Sequence, residues 1–146
     1  MFKLMLVPLI FTVAAVGQNT VATPPYNGQH YPKLIQAELP LYPDIAWAAH
    51  MTGAVEIEAR IEKGLVVSAL IKSQTNPYLA NPSVANLKSW RFQPGEPTTF
   101  TVTYTYNIEG AETDLPENPK IEMDLPMRVN LTARPFRPSC SDCPTK

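Results

Sequence analysis

The sequence predicts an α+β fold: a three-stranded antiparallel sheet with two helices packed on one face, plus a C-terminal extension adding one or two strands. Three observations carry that expectation. Apolar and polar residues alternate from Val55 to Ile61 and again from Phe100 to Ile108, which marks strands with one buried face. Two proline-led segments, starting at Pro43 and Pro82, repeat apolar residues at helical spacing. The resulting order is helix, strand, strand, helix, strand, and such an order places the helices together on one face of the sheet. The chain has 146 residues, enough for one domain with tails, and its 45% apolar content permits a packed core.

The 16 prolines bracket this unit. None falls between Asp44 and Asn76, while they crowd Pro24 to Pro43 and Pro116 to Pro144. The chain therefore divides into a leader (1–17), a proline-rich tether (18–40), a folded unit (41–110) and an extension (111–146). Lys3, the uncharged run from Leu4 to Val16 and the small residues Ala15 and Gly17 have the layout of a cleavable secretory signal peptide. The alternative is an inner-membrane anchor through residues 4–16. That run is shorter than the roughly 20 residues a spanning helix needs. Export is expected, and with it a soluble mature protein.

Within the folded unit, Pro43 suits the first helical position, and Asp44 sets a negative charge at the positive end of the helix. Ile45, Ala46 and Ala49 give that helix its apolar face, and Thr52-Gly53 ends it. Val55, Ile57, Ala59 and Ile61 then alternate with Glu56, Glu58, Arg60 and Glu62. The carboxylates lie on the wet face of this strand with Arg60 in line, so they read as a charged outer face and not as an acid–base pair. Glu62-Lys63-Gly64 is a tight turn, and Leu65 to Ile71 is the return strand of a hairpin. Asn81-Pro82 reads as an N-cap followed by proline at the first position of a second helix. Val84, Leu87 and Trp90 line one face of that helix, with Trp90 as a core anchor. Pro94 and Pro97 terminate the segment. Phe100, Val102, Tyr104, Tyr106 and Ile108 then alternate with threonines in the strongest strand of the chain.

In the extension, Ile121, Met123 and Leu125 alternate with acidic residues. After Pro126, Met127, Val129, Leu131 and Ala133 alternate with polar ones. The sequence leaves open whether these strands pair beside Phe100 to Ile108 or elsewhere, or form a tail. Cys140 and Cys143 are disulfide candidates in an exported chain. A thioredoxin-like centre would need a surrounding βαβ pattern. A four-ligand metal site would need His30 and His50 to meet both thiolates. Neither requirement is met by the pattern, and no metal or other cofactor is expected. Net charge is −1 and charged content only 17%, with no basic stripe, which argues against nucleic acid. No catalytic constellation and no small-molecule site is visible, so a binding module is expected and not an enzyme.

The central residues resemble a known family. Tyr42-Pro43, Ala46, Ala49, Gly53 and Val55 are similar to the opening of the TonB C-terminal domain, and Gly64 and Val66 to its hairpin. Asn76-Pro77, Leu79 and Trp90-Arg91-Phe92-Gln93-Pro94 are similar to its second helix and exit. Tyr42, Pro43, Gly53, Gly64, Trp90, Phe92 and Pro94 are thus the motif residues. The resemblance implies a periplasmic module of a Gram-negative bacterium, associated with energy-coupled transport across the outer membrane. Its partner would be an extended segment such as an outer-membrane receptor peptide, gripped by strand addition. The receiving edge would be Phe100, Thr101, Val102, Thr103, Tyr104, Thr105, Tyr106, Asn107 and Ile108. A homodimer through the same strands is compatible with it. The transducers of that family keep a membrane helix with a polar coupling residue and a long linker. Here Leu4 to Val16 has no ionisable group, and Gln18 to Pro40 spans roughly 70 Å at full polyproline extension. The alternative is an exported interaction or structural domain whose sheet edge is capped by its own extension, with no energy-transducing role.

Overall fold

Gly53 to Glu62 (β2) and Leu65 to Gln74 (β3) form the hairpin at the heart of the molecule. The computed structural model describes residues 31–115 and 117–137. The expected leader, most of the tether and the Cys140–Cys143 pair lie outside the described residues. The remaining elements are β1 (Leu34–Gln36), α1 (Asp44–Ala48), α2 (Pro77–Ser89), β4 (Arg91–Phe92), β5 (Thr98–Ile108), β6 (Lys120–Asp124) and β7 (Arg128–Ala133).

The fold-class expectation is corrected. The described strands make one seven-stranded mixed sheet in the order β1-β4-β3-β2-β5-β7-β6, curled into a half-barrel and accompanied by only two short helices. A three-stranded antiparallel sheet with two helices is not what forms. The physical reason lies at both flanks. Part of the presumed tether pairs as β1 with β4, the segment leaving α2. The extension enters as β7 and β6, with Val129, Leu131 and Ala133 fully buried. Apolar area of that size removed from water stabilises the sheet too strongly for these strands to remain an appendage.

The curled sheet holds its core on the inner face. Val55, Ile57, Ala59 and Ile61 of β2 lie beside Phe100, Val102, Tyr104 and Tyr106 of β5, and all are buried. Leu79, Ala80, Ser83 and Leu87 of α2 close over them, with Trp90 at its C-terminal cap. Tyr42 and Ala46 add the α1 side. The outer face carries the charged alternates: Lys72 pairs with Glu58 at 3.6 Å, and Arg60 with Glu62 at 2.7 Å.

The two helices differ in detail from their sequence reading. Pro43 is the N-cap of α1 (φ −64°, ψ 129°), one position before the first helical residue, and Ile45 is exposed while Ala46 is buried. Helix α2 starts five residues earlier than Asn81-Pro82 suggests. Asn76 is its N-cap, the Oδ1 accepting from the Tyr78 N–H at 3.0 Å, and Pro77 takes the first position. The segment around α2 holds the same Asn-Pro signal twice, at Asn76-Pro77 and Asn81-Pro82, and the upstream copy nucleates the helix, leaving Pro82 inside it.

Candidate functional site

The strand predicted to receive a peptide is β5, and its surroundings decide what it can do. Its threonines face outward and its aromatic residues face the core. Two polar links anchor those aromatics to α2. The Tyr104 hydroxyl donates to Asn86 Oδ1 at 2.9 Å, and the Trp90 indole N–H donates to the same oxygen at 3.2 Å. Asn86 Nδ2 in turn donates to the Glu38 carbonyl at 2.9 Å, tying in the segment before α1. The Ser83 hydroxyl donates to the Leu79 carbonyl at 2.7 Å and lies 2.8 Å from the Tyr106 hydroxyl, which therefore donates to it.

Burial pushes all three core phenols up. Tyr42 is raised to about 12, chiefly by desolvation and then by the neighbouring Tyr106. Tyr104 is raised by the same two causes in the same order. Tyr106 is raised by desolvation, against which the Ser83 hydrogen bond acts. These groups are held neutral and serve as hydrogen-bond donors, a structural role.

The expectation of a free edge along Phe100 to Ile108 is corrected by the strand order. One side of β5 is paired with β2 from Thr98 to Tyr106. The other is paired with β7, in parallel, from Thr103 to Ile108 against Arg128 to Ala133. The Thr103 N–H donates to the Met127 carbonyl, and the Glu109 N–H to the Ala133 carbonyl, both at 2.9 Å. Thr103, Tyr104, Thr105, Tyr106, Asn107 and Ile108 thus lie inside the sheet. Among the described strands, nothing pairs with the β7-facing side of β5 from Thr98 to Val102. Only this short piece of β5 keeps an unpartnered flank.

The cap on β5 is fastened beyond its own ladder. The Trp47 indole N–H of α1 donates to the Arg134 carbonyl at 2.7 Å, and the Trp47 ring lies 6.2 Å from that of Phe136. Thr113 forms a bridge with Phe136, and Arg134 reaches Glu117 at 3.1 Å. A cis peptide joins Leu125 to Pro126 between β6 and β7.

The remaining motif residues are structural. The Tyr42 hydroxyl donates to the Met51 carbonyl at 2.7 Å, and Tyr42 packs edge-on against Tyr106. Gly64 has φ +80° and its carbonyl accepts from the Phe92 N–H at 2.9 Å; a Cβ there would run into the Phe92 carbonyl oxygen. Trp90 and Phe92 are buried, and Pro94 helps line a hollow of about 360 Å³ with Pro32, Lys33 and Ile61. What the sequence reading missed is Asn86 and Ser83. Both sit on α2 at helical spacing from buried apolar residues, and that spacing was the available signal.

Among the described residues no cluster of three His, Cys, Asp or Glu side chains converges as a metal site, and no helix is long and apolar enough to cross a membrane. A scan against protein-family models finds no match, and a search of curated proteins finds none.

Proposed function

We propose that this chain is a non-catalytic protein-interaction domain of the bacterial envelope, built on a TonB C-terminal-like core whose β5 edge is capped by its own β7. The motif residues from Tyr42 to Pro94 support the family relation. The secretory layout of residues 1–17 supports a periplasmic place. The observation that carries the self-capped reading is the parallel pairing of Thr103–Ile108 with Arg128–Ala133. An incoming receptor strand needs the same N–H and C=O groups that β7 already uses. Displacing β7 would also strip Val129, Leu131 and Ala133 from the core. Gripping a receptor peptide along β5, and with it energy transduction, is the less supported function.

Titration of receptor-derived extended peptides into the full chain, read by calorimetry and residue-resolved amide exchange, tests this reading. No binding-dependent change from Thr103 to Ile108 is the expected result. Micromolar binding that slows exchange at Thr103, Thr105 and Asn107 beyond their free-protein rates would show β7 giving way and would overturn the self-capped reading. Fractionation tests the location: a processed N-terminus in the periplasmic fraction is expected, and an intact Met1 held in the inner membrane contradicts it.

A further inference from the structure

The two ends of the sheet are built differently. At one end β1 is three residues long, and its pairing with β4 carries a register shift. Beside it, β4 meets β3 at the single pair Leu65–Arg91. The rest of β3 carries two bulges, where Val67 and Lys72 are the extra residues against β2. Short strands and bulges are the usual means of blunting an edge against another chain. At the other end, β6 pairs with β7 in an unbroken register from Lys120 to Asp124.

The outward-facing groups of β6 follow from strand alternation. The Met127 and Ala133 carbonyls accept from the β5 side, so the odd-numbered backbone groups of β7 face β5. Its even-numbered groups face β6, in the pairs Thr132–Lys120, Asn130–Glu122 and Arg128–Asp124. The N–H and C=O groups of Ile121 and Met123 therefore point away from the sheet, and no described strand lies beyond them.

We propose that this edge of β6 pairs with the same edge of a second copy, antiparallel, about a two-fold axis at Ile121. The charge pattern selects both the occupant and the register. With Ile121 on the axis, Lys120 stands opposite Glu122 of the partner subunit, and Glu122 opposite Lys120 of the partner subunit. An axis at Glu122 also sets Lys120 opposite Asp124 of the partner subunit, but it places glutamate against glutamate at the centre, and an axis at Lys120 places lysine against lysine; like charges directly opposite oppose pairing, and the Ile121 register has none. In the Ile121 register the Met123 N–H also meets the carbonyl of Pro119 of the partner subunit, and proline keeps its carbonyl though it lacks an N–H. Lys120 and Glu122 are exposed and 2.6 Å apart within one copy, so both charges are presented at the edge. Ile121 and Met123 are half-buried against the core, so a second copy continues the apolar inner face across the axis. Pairing through β6 needs only the described sheet, whether or not the envelope-binding reading holds.

Sedimentation velocity of the full chain across a concentration series tests it, with thermal unfolding as the control for folding. A reversible monomer–dimer equilibrium is expected. Glu122→Lys turns both attractive pairs into repulsive ones and raises the dimer dissociation constant by about tenfold or more. The double variant Lys120→Glu/Glu122→Lys restores complementarity and the dimer. A monomer at every concentration overturns the proposal. So does a dimer indifferent to Glu122→Lys, or a double variant that stays monomeric while folded.

Discussion

Asn86 joins three parts of the chain through one amide. Its oxygen accepts from Tyr104 and Trp90, and its nitrogen donates to Glu38. Asn86→Ala leaves a phenol and an indole N–H without their acceptor, at a cost of about 2 kcal/mol, measurable as a lower urea midpoint at unchanged slope. Tyr106→Phe is milder, because Ser83 keeps its bond to the Leu79 carbonyl; a loss of about 1 kcal/mol is expected. The buried phenols also set the alkaline limit. Their folded-state values lie above the ordinary 10.0, with Tyr42 at about 12. The unfolded chain therefore releases protons first. The stability these groups contribute is intact below about pH 10 and is lost as pH rises through 12 and beyond. Denaturation midpoints measured from pH 9 upward should fall only past pH 10, with phenolate absorbance of these three tyrosines appearing together with unfolding.

At the scale of elements, the open end of the β2–β3 hairpin depends on one glycine. Gly53 has φ +150°, and a Cβ there would lie 2.8 Å from the Thr75 Cβ. Thr75 cannot retreat easily: its N–H and hydroxyl donate to the Ala54 carbonyl, and its hydroxyl accepts from the Ala54 N–H. Gly53→Ala is expected to destabilise by about 2–3 kcal/mol, seen as a lower Tm. The alternations of Val55–Ile61, Phe100–Ile108 and Val129–Ala133 were legible because a period of two survives in any sheet, whatever its neighbours. Strand neighbours were not legible for the same reason: alternation says that a face is buried, not what lies alongside. Nothing in the pattern of Thr103–Ile108 distinguishes an edge from an interior strand paired in parallel with Arg128–Ala133. Leu34–Gln36 is too short to show a period at all, and the repeated Asn-Pro signal hid the true start of α2. Of the candidate site, Trp90 could be read as a core anchor from its spacing to Val84 and Leu87, and it is buried. The openness of the β5 edge could not be read, since that depends on residues more than twenty positions downstream.

At the scale of the molecule, β7 of the extension and the core strands β2 and β5 share one inner face, and one cooperative unit is expected. Leu131→Ala should cost about 3 kcal/mol, a core-sized penalty. The two tryptophans report on separate places: Trp90 in the core under α2, and Trp47 against Arg134 and Phe136 of the extension. Single-tryptophan variants, Trp47→Phe and Trp90→Phe, should each unfold with fluorescence and circular dichroism coincident. A Trp47 signal lost at lower denaturant than the bulk circular dichroism would mean that the extension detaches by itself.

The order β5-β7-β6 also has a consequence for how the chain is made. Of the described strands, β7 is synthesised last, yet its place is inside the sheet, between two strands that precede it. Until residue 133 has emerged, the flank of β5 stands open with its threonine backbone unpaired. In that interval the nascent chain offers a template that the finished protein withholds. A holding chaperone, or a competing strand supplied in that window, would act on a surface that exists only during biogenesis.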